Sequence, residues 1–449
     1  METSTRSRRG ATRRDVIKAA AGTALAVGAV PLLRVRPAHA AKKTLKILQW
    51  SHFVPAYDKW FNTEYVKQWG EKNDTDVTVD NINLGLIPSR AAAEVSAQQG
   101  HDLVMFLSPP AVYEDQVVDM KEVYDECAKR HGKPIDLAVK STYNPRTKKY
   151  FAFSDSFVPD PINYRSDLWG EIGMTPDSWD DIRTGAKKIK DKSGIPAGIG
   201  LSAELDTAMA MRAIMYSFGS SEQDAEGNLT INSKQTLDAI NFVKALYQEC
   251  ETPEVLSWDP SSNNRAILAG RSSVVLNAIS VTREAETKKM PIGSKILLAK
   301  AAQGPVRRIG LEHVMDCYVV WKFAQNVDGA KQFLVDYIDN FHKGFVASEY
   351  YNFPCFPPTV PDLKQLVGND PRATPPDKYA VLDDVLTWAT NVGYPGYATA
   401  AIDEAFNTWV VNTMFAKAAT GTATPEDAMH QAEASMKQIW AKWKDRGMI

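Results

Sequence analysis

NPRTKKYFAFSDSFVPDPINYRSDLWGEIGMTPDSWDDI, residues 144–182, changes character twice along its length. Its first half alternates and carries Pro159 and Pro161, which suits an extended segment crossing between two bodies rather than a helix. A period of two places Asp155 and Phe157 on one face, with Asp160 opposite unless a bulge intervenes; the two prolines break the period there. The second half reads as a helix start. Ser178 is placed to cap it, and Asp180 and Asp181 fall in the first turn, near the positive end of the helix dipole.

Upstream, TLKILQW (44–50) reads as a strand running into the loop SHFVP. Trp60, Phe61, Tyr65 and Trp69 then recur at helical spacing. DVTVDNI is a second strand, SRAAAEVSAQQG a helix expected to close at Gly100, and HDLVMFLSPP a buried strand stopped by Pro109 and Pro110. This strand–helix alternation is the start of a doubly wound α/β body.

Downstream, INSKQTLDAINFVKALYQE reads as a helix, with Asn232 and Gln235 at capping-box spacing. NRAILAGRSSVVLNAIS reads as helix, glycine turn and buried strand, and EHVMDCYVVWKFAQNVDGAKQFLVDYID as strand then helix. AAIDEAFNTWVVNTMFAKAATG is expected to be one long amphipathic helix ending at Gly421. TPEDAMHQAEASMKQIWAKWK starts with Thr424 as cap and Pro425 in the first turn.

The N-terminal stretch ATRRDVIKAAAGTALAVGAVPLLRVRPAHA has the build of a cleavable export signal. A basic region precedes a short Ala/Gly-rich apolar run, and Ala38 and Ala40 suit a signal peptidase. Thr12-Arg13-Arg14-Asp15-Val16-Ile17-Lys18 resembles the twin-arginine pattern, which implies folding before export. An ordinary export signal with an incidental arginine pair is the alternative. Residues 1–40 are therefore read as leader, and a periplasmic or secreted protein is expected.

The net charge is −2 over 449 residues, and the leader holds an excess of the basic ones. The remainder is acidic, which argues against nucleic acid as a partner. Cys127, Cys250, Cys317 and Cys355 match no zinc or redox spacing; they are either free buried thiols or paired in one of three ways. The scattered histidines suggest no metal site, and no nucleophile elbow, P-loop or dinucleotide fingerprint occurs in its required context. No cofactor, no catalytic residue and no enzymatic activity are expected.

Taken in order, these segments resemble the extracellular solute-binding proteins of ABC importers, the family that includes maltose-binding protein. GHDLVMF, the quoted segment with Asn163-Tyr164-Arg165-Ser166-Asp167-Leu168, AILAGRSSVVLNA and FAKAATGTATPEDAM carry the resemblance across nearly the whole chain after the leader. It implies an α/β, two-lobed periplasmic binding protein fold of type II, with a hinge between lobes. By analogy, lobe one spans 44–152 and 309–341, and lobe two 155–301 and 359–449. Hinge crossings are expected near 153–160, 302–308 and 342–358. A small polar solute, a sugar or polyol, would bind between the lobes and pass to the permease subunits, with the receptor a monomer.

Ligands of open α/β sheets sit past the C-terminal strand ends. That rule points to His52 and Phe53 after the first strand, and to Ser108 after the third; packing under the loop and a turn role are the alternatives. Phe157 and Asp160 are candidates from the crossing segment, and Trp258 is a candidate stacking face or core ring. The resemblance adds Asn277 and Ser280, where relatives carry Asn-Gly-Pro-Trp, and Tyr394 and Tyr397 before the late helix, with Tyr350 and Tyr351 as alternatives. Pro109, Pro110 and Ser280 depart from the maltodextrin-type pattern. An amino compound or organic anion as ligand, or a twin-arginine exported enzyme, are the rival functions.

Overall fold

The computed structural model describes residues 42–449, and Lys43–Ile449 form one compact unit. The leader, with Arg13 and Arg14, lies outside the described residues. Strand β1 (Lys43–Trp50) pairs in parallel with β2 (Thr75–Ile82) and β3 (Leu103–Phe106). Phe61, Tyr65 and Trp69 of the first helical stretch pack edge-on against Phe333, the burial that their helical spacing foreshadows. Helix α1 (Ile87–Ala97) ends earlier than expected. Gln98 takes the left-handed conformation (φ 50°), while Gly100 sits where a Cβ would strike the Glu94 carboxylate at 2.4 Å.

β4 (Phe153–Pro159) is the crossing segment, and every residue of it is buried. Asp160-Pro161 then carries the chain directly into β5 (Ile162–Arg165), the centre of a separate antiparallel sheet with β6 (Val274–Leu276) and β7 (Ile296–Ala299) on either side. The chain returns through β8 (Gly310–Val320), which inserts antiparallel between β3 and β4. With β9 (Phe353–Pro354) and β10 (Ala389–Thr390), the large sheet has seven strands, ordered β9-β4-β8-β3-β1-β2 with β10 beside β8. The fold is thus α/β and two-lobed, one lobe built on each sheet.

Helix α2 (Trp179–Ser193) opens with a full capping box. The Asp181 N–H donates to Ser178 Oγ, and the Ser178 N–H donates to the Asp181 carboxylate, both at 3.0 Å. Helix α3 (Leu205–Ser217) lies against β8. Helix α4 (Lys234–Cys250) is capped by Ser233, not Asn232, whose amide instead donates to Glu433 at 3.0 Å. Val327–Asp339 forms α5.

The expected single late helix is two: α6 (Ala400–Asn407) and α7 (Val410–Thr420), broken where Trp409 is left-handed at φ 58°. The Val112 N–H donates to Asp403 at 2.8 Å and holds α6 beside the segment after β3, whereas α7 packs on α4. One straight helix cannot meet both directions. Helix α8 (Pro425–Asp445) starts as expected, with the Asp427 N–H donating to Thr424 Oγ1 at 3.0 Å. All four cysteines are free and buried.

Candidate ligand-binding site

The N-terminus of α3 is capped by an unusual residue. Glu204 accepts the N–H groups of Asp206 (2.7 Å) and Thr207 (2.5 Å), and burial and the Asp206 charge push its carboxyl up to about 8. Asp206 is held from the other side, where Asn263 Nδ2 donates to it at 2.6 Å.

Facing Asp206 is a β-bulge. Glu312 pairs with Pro159 and Val314 with Val158, so His313 is an extra residue in β8. A bulge bends the strand and re-aims the side chain of the extra residue. The His313 ring thereby lies between two carboxylates, with Nδ1 3.2 Å from Asp160 Oδ1 and Nε2 3.6 Å from Asp206 Oδ1. Burial opposes its charge, but Asp206, Asp160 and Glu204 outweigh burial and raise its pKa to about 9. Burial likewise raises Asp206 to about 6 against the pull of His313. Both are ion-pair contacts without hydrogen-bond alignment: Asp160 Oδ1, Asp206 Oδ1 and His313 Nδ1 have no hydrogen-bond partner in the protein.

A second bulge lies three residues further along β8. Asp316 pairs with Ser156 and Cys317 with Ser154, leaving Asp155 extra in β4. Ser156 Oγ is 3.0 Å from both Asp155 and Asp316. One hydroxyl proton cannot serve two carboxylates, so one of the acids carries a proton. Burial raises Asp155 to about 7, and burial together with Asp155 raises Asp316 well above the carboxylate range.

The segment before β9 completes the arrangement. Glu349 and Tyr350 are both left-handed (φ 54° and 68°), and they deliver Tyr351, fully buried, with a hydroxyl that has no partner. Asp206, Asp316 and Asp160 are the charges that act on that hydroxyl. Beside it, the Val54 N–H donates to His52 Nδ1 at 2.9 Å, so Nε2 carries the proton and donates to Asn352 Oδ1 at 3.0 Å. Burial lowers the His52 pKa to about 4, which keeps the ring neutral. Both amide atoms of Gln49 and the Asn352 Nδ2 are also buried without partners.

Glu204 connects this cluster to a cavity of about 670 Å³ that it also lines, together with Phe106, Ser108, Tyr113, Asn407 and Trp443. Aromatic walls with few polar groups are the usual lining of a small-molecule site.

The structure places the sequence candidates in different surroundings. Ser108 lines the cavity. Asp160 contacts His313, and Asn277 and Ser280 stand in the amide network beside Asp206, where Asn277 Nδ2 donates to Asn263 Oδ1 at 2.7 Å. His52 touches Asn352, and Phe53 packs on Trp50 at 5.3 Å. Phe157 is buried against Phe353, and Trp258 packs over Gly198. Tyr394 and Tyr397 sit in a loop fixed by Gln223, whose amide donates to the Tyr397 and Gly393 carbonyls at 2.8 Å. Tyr394 contacts Arg307, and Tyr397 faces Tyr143.

Sequence reasoning passed over Glu204, Asp206 and His313. The readable signal for His313 is the run Gly310–Val320, GLEHVMDCYVV: Glu312, His313 and Asp316 inside a wholly buried strand.

The family model described as bacterial extracellular solute-binding protein matches residues 54–338. The chain belongs to the bacterial extracellular solute-binding proteins. Curated relatives from Brucella abortus (strain 2308) and Brucella suis biovar 1 (strain 1330), each described as a binding protein, are 23% identical over 171 residues, 37% of this chain. The matched segment spans 41% of the length of those relatives.

Solved solute-binding structures agree with the fold. The maltose-bound MalE3 protein of T. maritima has a TM-score of 0.72 at 18% identity, over 88% of this chain and 99% of that one. A sugar transporter protein of Arthrobacter chlorophenolicus A6 with laminaribiose gives 0.71 at 16% identity, over 88% and 99%. A solute-binding protein of Agrobacterium radiobacter K84 with ribitol gives 0.69 at 16% identity, over 88% and 98%. Among the described residues of this solute-binding protein, no helix is long and apolar enough to cross a membrane, and no group of metal-ligating side chains is placed to hold an ion.

Proposed function

We propose that this protein is the periplasmic receptor of an ABC importer, and that it binds a sugar or polyol between its lobes and delivers it to the membrane permease. The observation that carries the reading is the convergence of unpartnered buried polar atoms from β1, β4, α3, β8 and the Tyr351 segment, beside an aromatic-walled cavity. A buried polar atom without a partner costs about 1–3 kcal/mol, and a polyhydroxylated solute supplies donors and acceptors together. The three connections carrying Asp160, the segment before β8 and Tyr351 act as the hinge, with lobe one formed by 44–152 and 309–341 and lobe two by 155–301 and 359–449. The receptor works as a monomer after leader removal, and binding rather than catalysis is its role. Solved relatives carrying maltose, laminaribiose and ribitol support the ligand class.

A thermal-shift screen of sugars and polyols on the mature chain tests this. A ligand at a hundred times its Kd adds about 2.7 kcal/mol of stability. A melting temperature unmoved by every sugar and polyol, hydroxylated amines included, would overturn the ligand class.

A further inference from the structure

We infer that the bound solute carries a protonated amine as well as hydroxyls, so that the receptor takes an amino sugar or amino-polyol in preference to its neutral parent. The inference rests on the receptor reading and narrows its ligand class.

Asp160, Asp206 and Asp316 bear on the Tyr351 hydroxyl, Asp155 bears on Asp316, and Asp160 on Glu312. Asp155, Asp160, Asp206, Glu312 and Asp316 are all at least nine-tenths buried, and each has one carboxyl oxygen without a hydrogen-bond partner in the protein. One cation, His313, stands between two of them. The other buried cation nearby, Arg212, pairs with Glu222 at 2.6 Å and also bears on Glu312, with one terminal nitrogen left without a hydrogen-bond partner. Glu312, raised to about 8 by burial, adds no full charge at neutral pH, and Asp155 and Asp316 share one proton, so Asp160, Asp206 and one member of that pair face the single cation His313 in a region shut off from water. Buried charges are ordinarily paired, so a surplus of one sign calls for a counter-charge.

Two independent features aim that surplus at a ligand. The first is the Tyr351 hydroxyl, fully buried and unpartnered, with Asp160, Asp206 and Asp316 bearing on it from two lobes. A phenol oxygen accepts from an ammonium as readily as it donates to a carboxylate. The second is the bulge at His313, which turns a cation against Asp160 and Asp206 yet leaves both facing oxygens unbonded. An ammonium has three donors and no acceptor, and so matches a set made mostly of acceptors. A neutral hydroxyl offers one donor per oxygen and leaves the charge unbalanced. A carboxylate or phosphate ligand would add to the repulsion, which sets organic anions aside. Ser108, Asn407 and the rings of Tyr113 and Trp443, in the adjoining cavity, suit the hydroxylated remainder of such a molecule.

The test compares matched pairs on the mature chain by calorimetry and thermal shift: D-glucosamine with D-glucose and N-acetyl-D-glucosamine, and 1-amino-1-deoxysorbitol with sorbitol, plus putrescine as an amine without hydroxyls. At least one hydroxylated amine is expected to bind about tenfold or more tightly than its neutral parent, the scale of one charge-assisted hydrogen bond. Tyr351→Phe, which removes only an unpartnered oxygen, is expected to weaken that amine by about tenfold while the variant stays folded. A neutral parent binding as tightly as its amine overturns the inference and leaves the sugar or polyol reading standing. Putrescine binding alone keeps the amine and overturns the hydroxylated ligand. If no amine in the panel binds, the inference is overturned.

Discussion

His313 and Asp206 face each other across 3.6 Å, one from a bulge in the longest strand of the large sheet, the other from the first turn of the helix packed on it. Asp160, on the other side of the His313 ring, lies where the chain passes from one sheet to the other.

Replacing His313 with Gln removes the one cation between Asp160 and Asp206. Breaking a buried charge pair by deleting one partner typically costs about 3–5 kcal/mol, because the remaining charge stays buried. Urea denaturation of H313Q is expected to show a loss of this size, and a change under about 1 kcal/mol would refute the clamp. Adding Asp206→Asn to H313Q should restore part of the loss, since it removes the stranded charge.

Stability of the ligand-free protein depends on pH with a definite sign. Asp155 (about 7), Asp206 (about 6), Glu204 and Glu312 (about 8) and His313 (about 9) all have folded pKa values raised above their unfolded ones. Such groups contribute stability at low pH that is lost as pH rises through the folded value, by about 1.4 kcal/mol for each tenfold difference in proton affinity between the two states. His52, lowered to about 4, acts oppositely: its contribution is complete above the unfolded value and is lost as pH falls toward 4. The melting temperature is expected to fall as pH rises from about 5.5 to 8.5; between about pH 6.5 and 4 the loss from His52 runs against the gain from the four carboxyls and does not outweigh it. A flat or rising profile across the upper window contradicts this.

Gly185 lies mid-helix in α2, where alanine ordinarily stabilises by about 1 kcal/mol. Here a Cβ would come within 2.3 Å of the Trp169 ring, which is fully buried. Gly185→Ala is therefore expected to destabilise by about 1–3 kcal/mol. A gain in the melting temperature would show that Trp169 moves freely, contrary to its packing.

Burial pushes the thiols of Cys127 and Cys250 up to about 12, and those of Cys317 and Cys355 well above the ordinary range. A thiol reagent at about pH 8 should label none of the four in the native protein within minutes, and all four after denaturation. Fewer than four after denaturation without reductant would reveal a disulfide.

Much of the fold is legible in the chain itself because it rests on local rules. Alternation marks β1, and Ser178 with Asp181, Thr424 with Pro425, and Gly421 mark helix ends through hydrogen bonds only a few residues apart. The crossing at Pro159-Asp160-Pro161 is visible because proline interrupts a period of two. Misreadings fall where a distant contact overrides a local preference. Gln98 rather than Gly100 turns the chain after α1, and Trp409 breaks a helix whose two halves dock on different elements.

The site was less legible for the same reason. Ser108 and Asp160 could be named from strand ends and prolines, and Asn277 from its resemblance to the family pattern. His313 and Asp206, more than a hundred residues apart, become partners only when β8 inserts beside β4 with one residue to spare. Sequence by itself determined the alternation of strands and helices, the capped helix ends and the family, since each depends on periodicity or on an ordered set of segments. Tertiary structure alone decided which acids meet, which histidine is charged and which stays neutral. Those properties depend on burial and on charges brought within a few ångströms by strand register, which no local pattern encodes.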